Sequence, residues 1–285
     1  MAVAKTIESR DSASSQPAHV RPSDARVNFN LIRELAVTSF RLKYTDSLLG
    51  YLWSLVKPLL IFGMMYLVFA VFLLRGRTAP GENFPVELLV AVIVWGFFAE
   101  ATGTSVGAVA GNASLIRKAY FPRWILVIAS TLSVAMTFVV NFGLLLVIGL
   151  SFGWFIVGWN LLFVPLLMLE LYVLIVGMGM FLSALFVSYR DLGHIWEIIT
   201  QLLFYASAIV YPLSLIPHRF QALAAMNPTT QIIQDLRRAL VTTKIPWSPE
   251  ILGGLFWVPF VIVIAIFAIG YTVFRRLTPR FAENL

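Results

Sequence analysis

The sequence predicts an all-α integral membrane fold. It would have six transmembrane helices per chain, an amphipathic interfacial helix before the first, and a partly re-entrant outer segment between the fifth and sixth. Three observations carry this expectation. Of the 285 residues, 59% are hydrophobic and 12% are charged, against about 25% charged in an ordinary globular chain. Apolar runs with few charges recur at about the 20 residues that a helix needs to cross hydrocarbon. The charges between those runs sit in short clusters. A net charge of +7 and a pI near 9.9 would suit a nucleic-acid binder, but clustering between apolar runs points to membrane topology instead.

The elements follow in chain order. Residues 1–28 are polar and rich in Ser, Ala, Arg and Asp, without the apolar run of a signal peptide. They read as a disordered cytoplasmic tail, and 29–285 as one transmembrane domain. Residues 29–45 place Ile32, Leu35, Ala36, Ser39 and Phe40 on one helical face, with Arg33, Arg41 and Lys43 elsewhere. That pattern suits a helix lying in the cytoplasmic interface, or one packed on protein. The six runs are 51–74, 86–110, 124–150, 161–187, 198–212 and 251–274. The third and fourth come from one charge-free stretch, split by the Gly153-Trp154 and Gly158-Trp159-Asn160 turn residues. The fifth is short and ends at Pro212. Between it and the sixth, Asn227-Pro228 reads as an N-cap with proline at the first helical position, opening a helix through Leu240.

Orientation rests on Lys and Arg near the span ends. One side holds Lys5, Arg10, Arg21, Arg26, Arg33, Arg41, Lys43, Arg117, Lys118, Arg123, Arg190, Arg275, Arg276 and Arg280. The other holds Arg75, Arg77, Arg219, Arg237, Arg238 and Lys244. Both termini are therefore expected in the cytoplasm of a multi-pass inner or plasma-membrane protein.

Several chemistries are excluded by residue type. There is no cysteine, hence no disulfide or thiolate site. No Gly-x-x-x-x-Gly-Lys-Ser/Thr loop occurs, so any use of ATP falls to a partner. His19, His194 and His218 lack metal-ligand spacing. No catalytic residue, metal or cofactor is expected in this chain. Glu100 and Glu170 lie in or near apolar runs, where a carboxylate is costly and a functional candidate. Either could instead sit near a helix end or pair with a neighbour. Phe62, Tyr66 and Phe69 share a face of the first run, and Phe204, Tyr205 and Tyr211 lie in the fifth. Such stripes either pack helices or offer flat faces on which sugar rings stack and slide, as bases do on aromatic side chains.

Four ordered motifs resemble a known family. The first is Arg41-Leu42-Lys43-Tyr44-Thr45-Asp46-Ser47-Leu48-Leu49-Gly50-Tyr51-Leu52-Trp53, followed by Lys57-Pro58. The second is Asn112-Ala113-Ser114-Leu115-Ile116-Arg117-Lys118-Ala119-Tyr120-Phe121-Pro122-Arg123. Ser188-Tyr189-Arg190-Asp191-Leu192 is the third, and Pro212 with Met226-Asn227-Pro228 the fourth. Together, over roughly residues 30–274, they resemble type 2 ABC exporter permeases of the O-antigen, capsule and teichoic-acid polysaccharide export group.

The resemblance implies a homodimer carrying two copies of an ABC ATPase subunit, which binds ATP and Mg. It implies that Asn112, Arg117, Lys118, Tyr120, Phe121 and Arg123 form a coupling segment on that ATPase, with Tyr189, Arg190 and Asp191 as a second contact. Spans one and five of both copies would line a channel bearing Phe62, Tyr66, Phe69, Phe204, Tyr205 and Tyr211. Arg41 and Lys43 would meet the pyrophosphate of a polyprenyl-linked glycan at its cytoplasmic mouth. The Ala- and Arg-rich tail would allow a cell-wall galactan as cargo. Two other readings stand beside this one: a related permease exporting a drug or lipid, and a membrane enzyme or scramblase acting alone.

Overall fold

In a computed structural model of the chain, the described residues are 25–44, 50–73, 83–118 and 121–281. They are helical, with no strand among them. Helix α1 (Ala25–Tyr44) precedes α2 (Leu52–Tyr66), which continues as a π-helix over Leu67–Leu73. Then come α3 (Phe84–Val106), α4 (Ala113–Lys118), α5 (Trp124–Ser151), α6 (Phe163–Ser188) and α7 (Leu192–Ala206). The chain closes with α8 (His218–Ala225), α9 (Pro228–Leu240), α10 (Ser248–Leu252) and α11 (Val258–Leu277).

Four helices among the described residues are long and apolar enough to cross a membrane: α3, α5, α6 with its preceding turn, and α11. The sequence led us to expect six. The other two expected spans are shorter as regular helices, α2 and α7 having 15 residues each. The fifth run also begins earlier than expected, at Leu192 rather than 198. His194 and Glu197 in its opening turns made that stretch look too polar to belong to a span. It ends at Ala206 because Ala208 takes φ 48, a left-handed backbone that no α-helix continues. Of the expected disordered tail, residues 1–24 lie outside the described residues, while Ala25 to Asn28 open α1.

The apolar face of α1 lies along α5. Ala36 is buried and Ile32, Leu35 and Phe40 are half-buried, while Arg33, Arg41 and Lys43 are exposed. Ser39, expected on the same face, is exposed as well. The core is built on α3, which contacts α2, α5, α6, α7 and α9 and buries residues around its whole circumference. Its uniform apolarity follows from that central position.

The most extensive helix pair is α6 with α11. It depends on two glycines that meet backbone to backbone. A Cβ at Gly177 would stand 2.6 Å from the Phe267 Cα, and one at Gly270 would collide with the Gly177 carbonyl. Small residues let membrane helices approach this closely, where lipid supplies no hydrophobic drive to press them together.

Helix α9 lies in the segment expected to be outer and partly re-entrant, and twelve of its thirteen residues are buried despite its polar sequence. Some of its polar groups are satisfied internally, while Thr230 Oγ1, Gln231 Oε1 and two Arg238 nitrogens are buried without a hydrogen-bond partner among the described residues. Asn227 caps the helix, accepting from the Thr229 amide (3.1 Å) and hydroxyl (2.9 Å) and donating to Ser207 Oγ (3.1 Å). Asp235 accepts from the Ser248 amide (2.7 Å) and Gln231 Nε2 (2.9 Å). Burial raises the Asp235 carboxyl above its ordinary range, and these donors oppose that rise.

Arg237, only 2% exposed, donates to three main-chain carbonyls. They are Ala208 (3.0 Å) and Ile209 (2.6 Å) in the break after α7, and Glu87 (3.2 Å) in the first turn of α3. Burial pulls its pKa down to about 10, and the Glu87 carboxylate opposes that shift. The guanidinium is thus charged at neutral pH.

Two stability predictions follow from these contacts. Gly270→Val forces α6 and α11 apart and should cost about 1–3 kcal/mol, the usual range for overpacking. Arg237→Leu strands the Ala208 and Ile209 carbonyls at about 1–3 kcal/mol each, and Arg237→Lys rescues only in part because it lacks the planar fork. Heating detergent-solubilised protein and scoring the monodisperse fraction checks both. Wild-type melting of either apolar variant would refute the corresponding contact.

Candidate functional site

Helix α2 buries no residue of its own. It is held at its start by one amide of α5. Tyr51 donates from its hydroxyl to Asn141 Oδ1 (3.1 Å) and to the Thr137 carbonyl (3.3 Å). Ser54 Oγ donates to Asn141 Oδ1 (3.2 Å), and Asn141 Nδ2 donates back to the Ser54 carbonyl (3.0 Å). Beyond this clamp a groove of about 840 Å³ opens between α2, α3, α5 and α7.

The described lining carries four charged side chains, Lys43, Lys57, Glu100 and Glu197, and the apolar Ile61, Met65, Val92 and Ile93, with Trp53 and Ser54. Lys43, at the end of α1, forms an ion pair with Glu100 of α3, their side chains 35% and 39% exposed. Glu100 lies six residues before the end of α3, about 9 Å along the axis at 1.5 Å per residue. The ion pair therefore lies near the boundary of that span.

Aromatic rings form the back wall. Phe97 stacks on Phe138 with centroids 4.3 Å apart, and Phe138 on Phe142 at 5.2 Å. Phe204 meets Trp95 edge-on at 5.9 Å. The Trp196 indole N–H donates to Thr102 Oγ1 (3.2 Å), fixing α7 to α3 beside this wall.

Of the candidate site residues singled out from sequence, Lys43, Glu100 and Phe204 line the groove. Phe62 is half-buried and stacks with Tyr66 at 6.0 Å, but neither belongs to the lining. Tyr205 is exposed, and its carbonyl accepts from the Tyr211 hydroxyl (2.8 Å). Arg41 is exposed on α1. The side chain of Phe69 and the whole of Tyr120 lie outside what is described. Sequence reading did not single out Asn141, Trp95, Phe97, Phe138 or Glu197. Asn141 could have been found, as the one asparagine in the apolar run 124–150. The aromatic wall could not, because its rings come from helices far apart in the chain.

A second feature is a basic end of the bundle. Ile116 of α4 packs on the cluster that contains Val187 of α6, Phe274 of α11 and Phe281. Arg123 donates to the Thr278 carbonyl and lies over the Phe281 ring. Phe121 is half-buried here, and Asn112 donates to the Ala108 carbonyl (2.8 Å). Arg117, Lys118, Tyr189, Arg190 and Asp191 stay exposed around this cluster, with Arg190 over Phe186 at 5.3 Å. The short helix α4 and the turn before α7 thus share one exposed, mostly cationic surface. Among the described residues no cluster of His, Asp or Glu could hold a metal ion.

Comparison with known proteins gives one consistent result. The family described as ABC-2 type transporter matches residues 30–241. The chain is 25% identical to an O-antigen export system permease protein of Klebsiella pneumoniae, over 90% of this chain and 95% of that protein. A permease of the same name from Myxococcus xanthus is 25% identical over the same shares. The polysialic acid transport protein of Escherichia coli is 25% identical over 74% of this chain and 81% of its own length.

Proposed function

The chain belongs to the ABC-2 type transporter family, and we propose that it is the membrane subunit of an ATP-driven polysaccharide exporter. Its cargo is a glycan on a polyprenyl pyrophosphate, moved from the cytoplasm to the outer face of the inner or plasma membrane. The observation that carries this reading is the end-to-end similarity to relatives named for O-antigen export, over 90% of this chain. ATP and Mg are bound by a separate ATPase subunit, since the sequence has no phosphate-cradling loop of its own.

The groove suits one half of a path completed by a second copy. Helix α2 buries nothing, and α7 buries only Trp196 of its fifteen residues. In a homodimer those faces close over the groove, and α2 and α7 count as the first and fifth of six spans with both termini cytoplasmic. Arg41 and Lys43 stand at the cytoplasmic mouth and attract the anionic pyrophosphate. Trp53, Phe204 and Tyr205 offer ring faces to sugars behind it, a contact that tolerates varied residues because stacking needs no fixed hydrogen-bond register. On the basic end, Asn112, Arg117, Lys118, Tyr120, Phe121 and Arg123 form the coupling segment, and Tyr189, Arg190 and Asp191 the second contact.

Conditional depletion with labelling of polyprenyl-linked glycans on each membrane face tests the activity. Long lipid-linked polymer should accumulate inside and vanish outside, and its sugar composition identifies the cargo, galactose marking a galactan. An unchanged distribution would move the assignment to a drug- or lipid-exporting member of the family. Substituting Arg117, Lys118 and Phe121 together should abolish stimulation of the partner's ATP hydrolysis by the permease while leaving membrane insertion intact. Unaltered stimulation would remove α4 from the coupling role.

A further inference from the structure

We infer that the C-terminal end of α11 binds one anionic phospholipid, its phosphate between Arg275 and Arg276 and its acyl chains along the exposed side of the helix. The site lies on a face that the export reading leaves unassigned, and it stands whatever the cargo.

Helix α11 is two-sided. Pro259, Val263, Gly270 and Phe274 are buried, and at 3.6 residues per turn they share one narrow side. That side packs on α6 and α9. Val261, Ile264, Ala265 and Ala268 occupy the opposite side and are exposed. The helix is long and apolar enough to cross a membrane, so this exposed strip is a surface for hydrocarbon.

The strip ends in a recess of about 380 Å³ lined by Tyr271, Thr272, Arg275 and Arg276. The lining consists of two pairs at i, i+4 spacing, Tyr271 with Arg275 and Thr272 with Arg276, stacked below Ala268 and Ile264 on the same face. Helical side chains lean toward the N-terminus of their helix. The arginines are thereby carried back over the preceding turn, toward the apolar strip. Among the described residues neither guanidinium nor the Tyr271 hydroxyl has an ion pair or a hydrogen bond. Thr272 Oγ1 donates to the Ala268 carbonyl (2.7 Å), so the free donors of the recess are the two guanidiniums and the phenol.

Cations in the last turn of a helix are favoured by its dipole, and arginines at a span end help to set orientation. Neither effect calls for unpartnered donors around a recess continuous with a hydrocarbon-facing strip. A phospholipid uses both parts. Its phosphate oxygens accept charge-assisted bonds from the guanidiniums, and its chains cover the strip. The ammonium of a zwitterionic headgroup would bring a third cation to the recess, which an anionic headgroup avoids.

The full chain, purified in neutral detergent, is titrated with phosphatidylglycerol and with phosphatidylcholine, and bound lipid is counted by native mass spectrometry. Wild type should hold phosphatidylglycerol more tightly, at one high-affinity site per chain. Arg275→Gln and Arg276→Gln should each weaken that binding roughly fivefold, the contribution of one arginine near an anionic lipid surface, and leave phosphatidylcholine binding unmoved. Thr272→Trp fills the recess with both arginines in place and should weaken phosphatidylglycerol binding as well. Glycerol 3-phosphate, which has the anion without the chains, should not compete.

Equal affinity of wild type for the two lipids would overturn the site. So would an equal loss in Arg117→Gln/Lys118→Gln, which removes charge from α4 and leaves the recess intact. Displacement of the lipid by glycerol 3-phosphate would make the recess a site for soluble anions. Undisturbed phosphatidylglycerol binding in Arg275→Gln/Arg276→Gln, with loss of binding to the partner ATPase, would make it a protein contact. Either result overturns the lipid assignment.

Discussion

One guanidinium, inaccessible to water, fixes how this bundle can be put together. A helix broken inside a membrane protein exposes carbonyls that lipid cannot satisfy, so irregular backbone survives only where protein supplies the donors. Arg237 supplies them to Ala208 and Ile209, and reaches the first turn of α3 with its remaining donor. Three consequences follow together. Helix α7 can stop after fifteen residues, α9 can be drawn into the core despite its polar sequence, and the start of α3 is tied to both. Replace that side chain in thought, and the groove loses the short helix that forms one of its walls.

The remaining contacts divide the molecule into a stiff part and a loosely held one. Helices α3, α6, α9 and α11 are bound by buried apolar surface, by the Gly177–Gly270 approach and by the polar groups around α9. Helix α2 buries no residue of its own, lies against α3, is hydrogen-bonded at its start to Asn141, and carries Pro58, which removes a backbone donor from its own ladder. It then runs on in π geometry, a rare form that is frequent at functional sites. Proteins that move one element place it at the low-stability end of their contacts, and by that measure α2 is the wall that moves.

The sequence made some of this legible and hid the rest for physical reasons. Apolar runs of membrane length gave the all-helical class and, within a few residues, the bounds of α3, α5 and α6, because hydrophobic length is a one-dimensional property; the run expected from 251 instead opens in α10 and a short turn, and α11 begins only at Val258. Asn227-Pro228 gave the start of α9 for the same reason, the cap being local chemistry. The burial of α9 was not legible: Gln231, Asp235 and Arg237 look like a wet face until their partners at Ser248, Ala208 and Glu87 are known. The same holds for the groove. Lys43 and Glu100 stand 57 residues apart, and nothing in either local sequence pairs them. Phe62 and Tyr66 made a convincing stripe on α2, while the rings that line the groove come from four helices: Trp53 of α2, Trp95 and Phe97 of α3, Phe138 of α5 and Phe204 of α7.

How work reaches the groove can be argued from connectivity. The sequence has no Gly-x-x-x-x-Gly-Lys-Ser/Thr loop, and on the proposed reading force enters at the basic end, through α4 and the turn at Tyr189 to Asp191. Helix α7 begins at the residue after Asp191. No slack separates the exposed turn from the groove wall. Glu197 and Phe204 follow on the same helix, so a displacement of the turn is a displacement of both. Trp196, buried against Phe98 and bonded to Thr102, makes α3 the surface on which such a shift would pivot. At the far end Arg237 grips the carbonyls just beyond α7, so a push from the basic end meets a fixed stop. A rod held at one end and pushed at the other tilts or bends, and the volume beside it changes. That is the motion a groove needs if it is to admit a chain at one face and release it at the other.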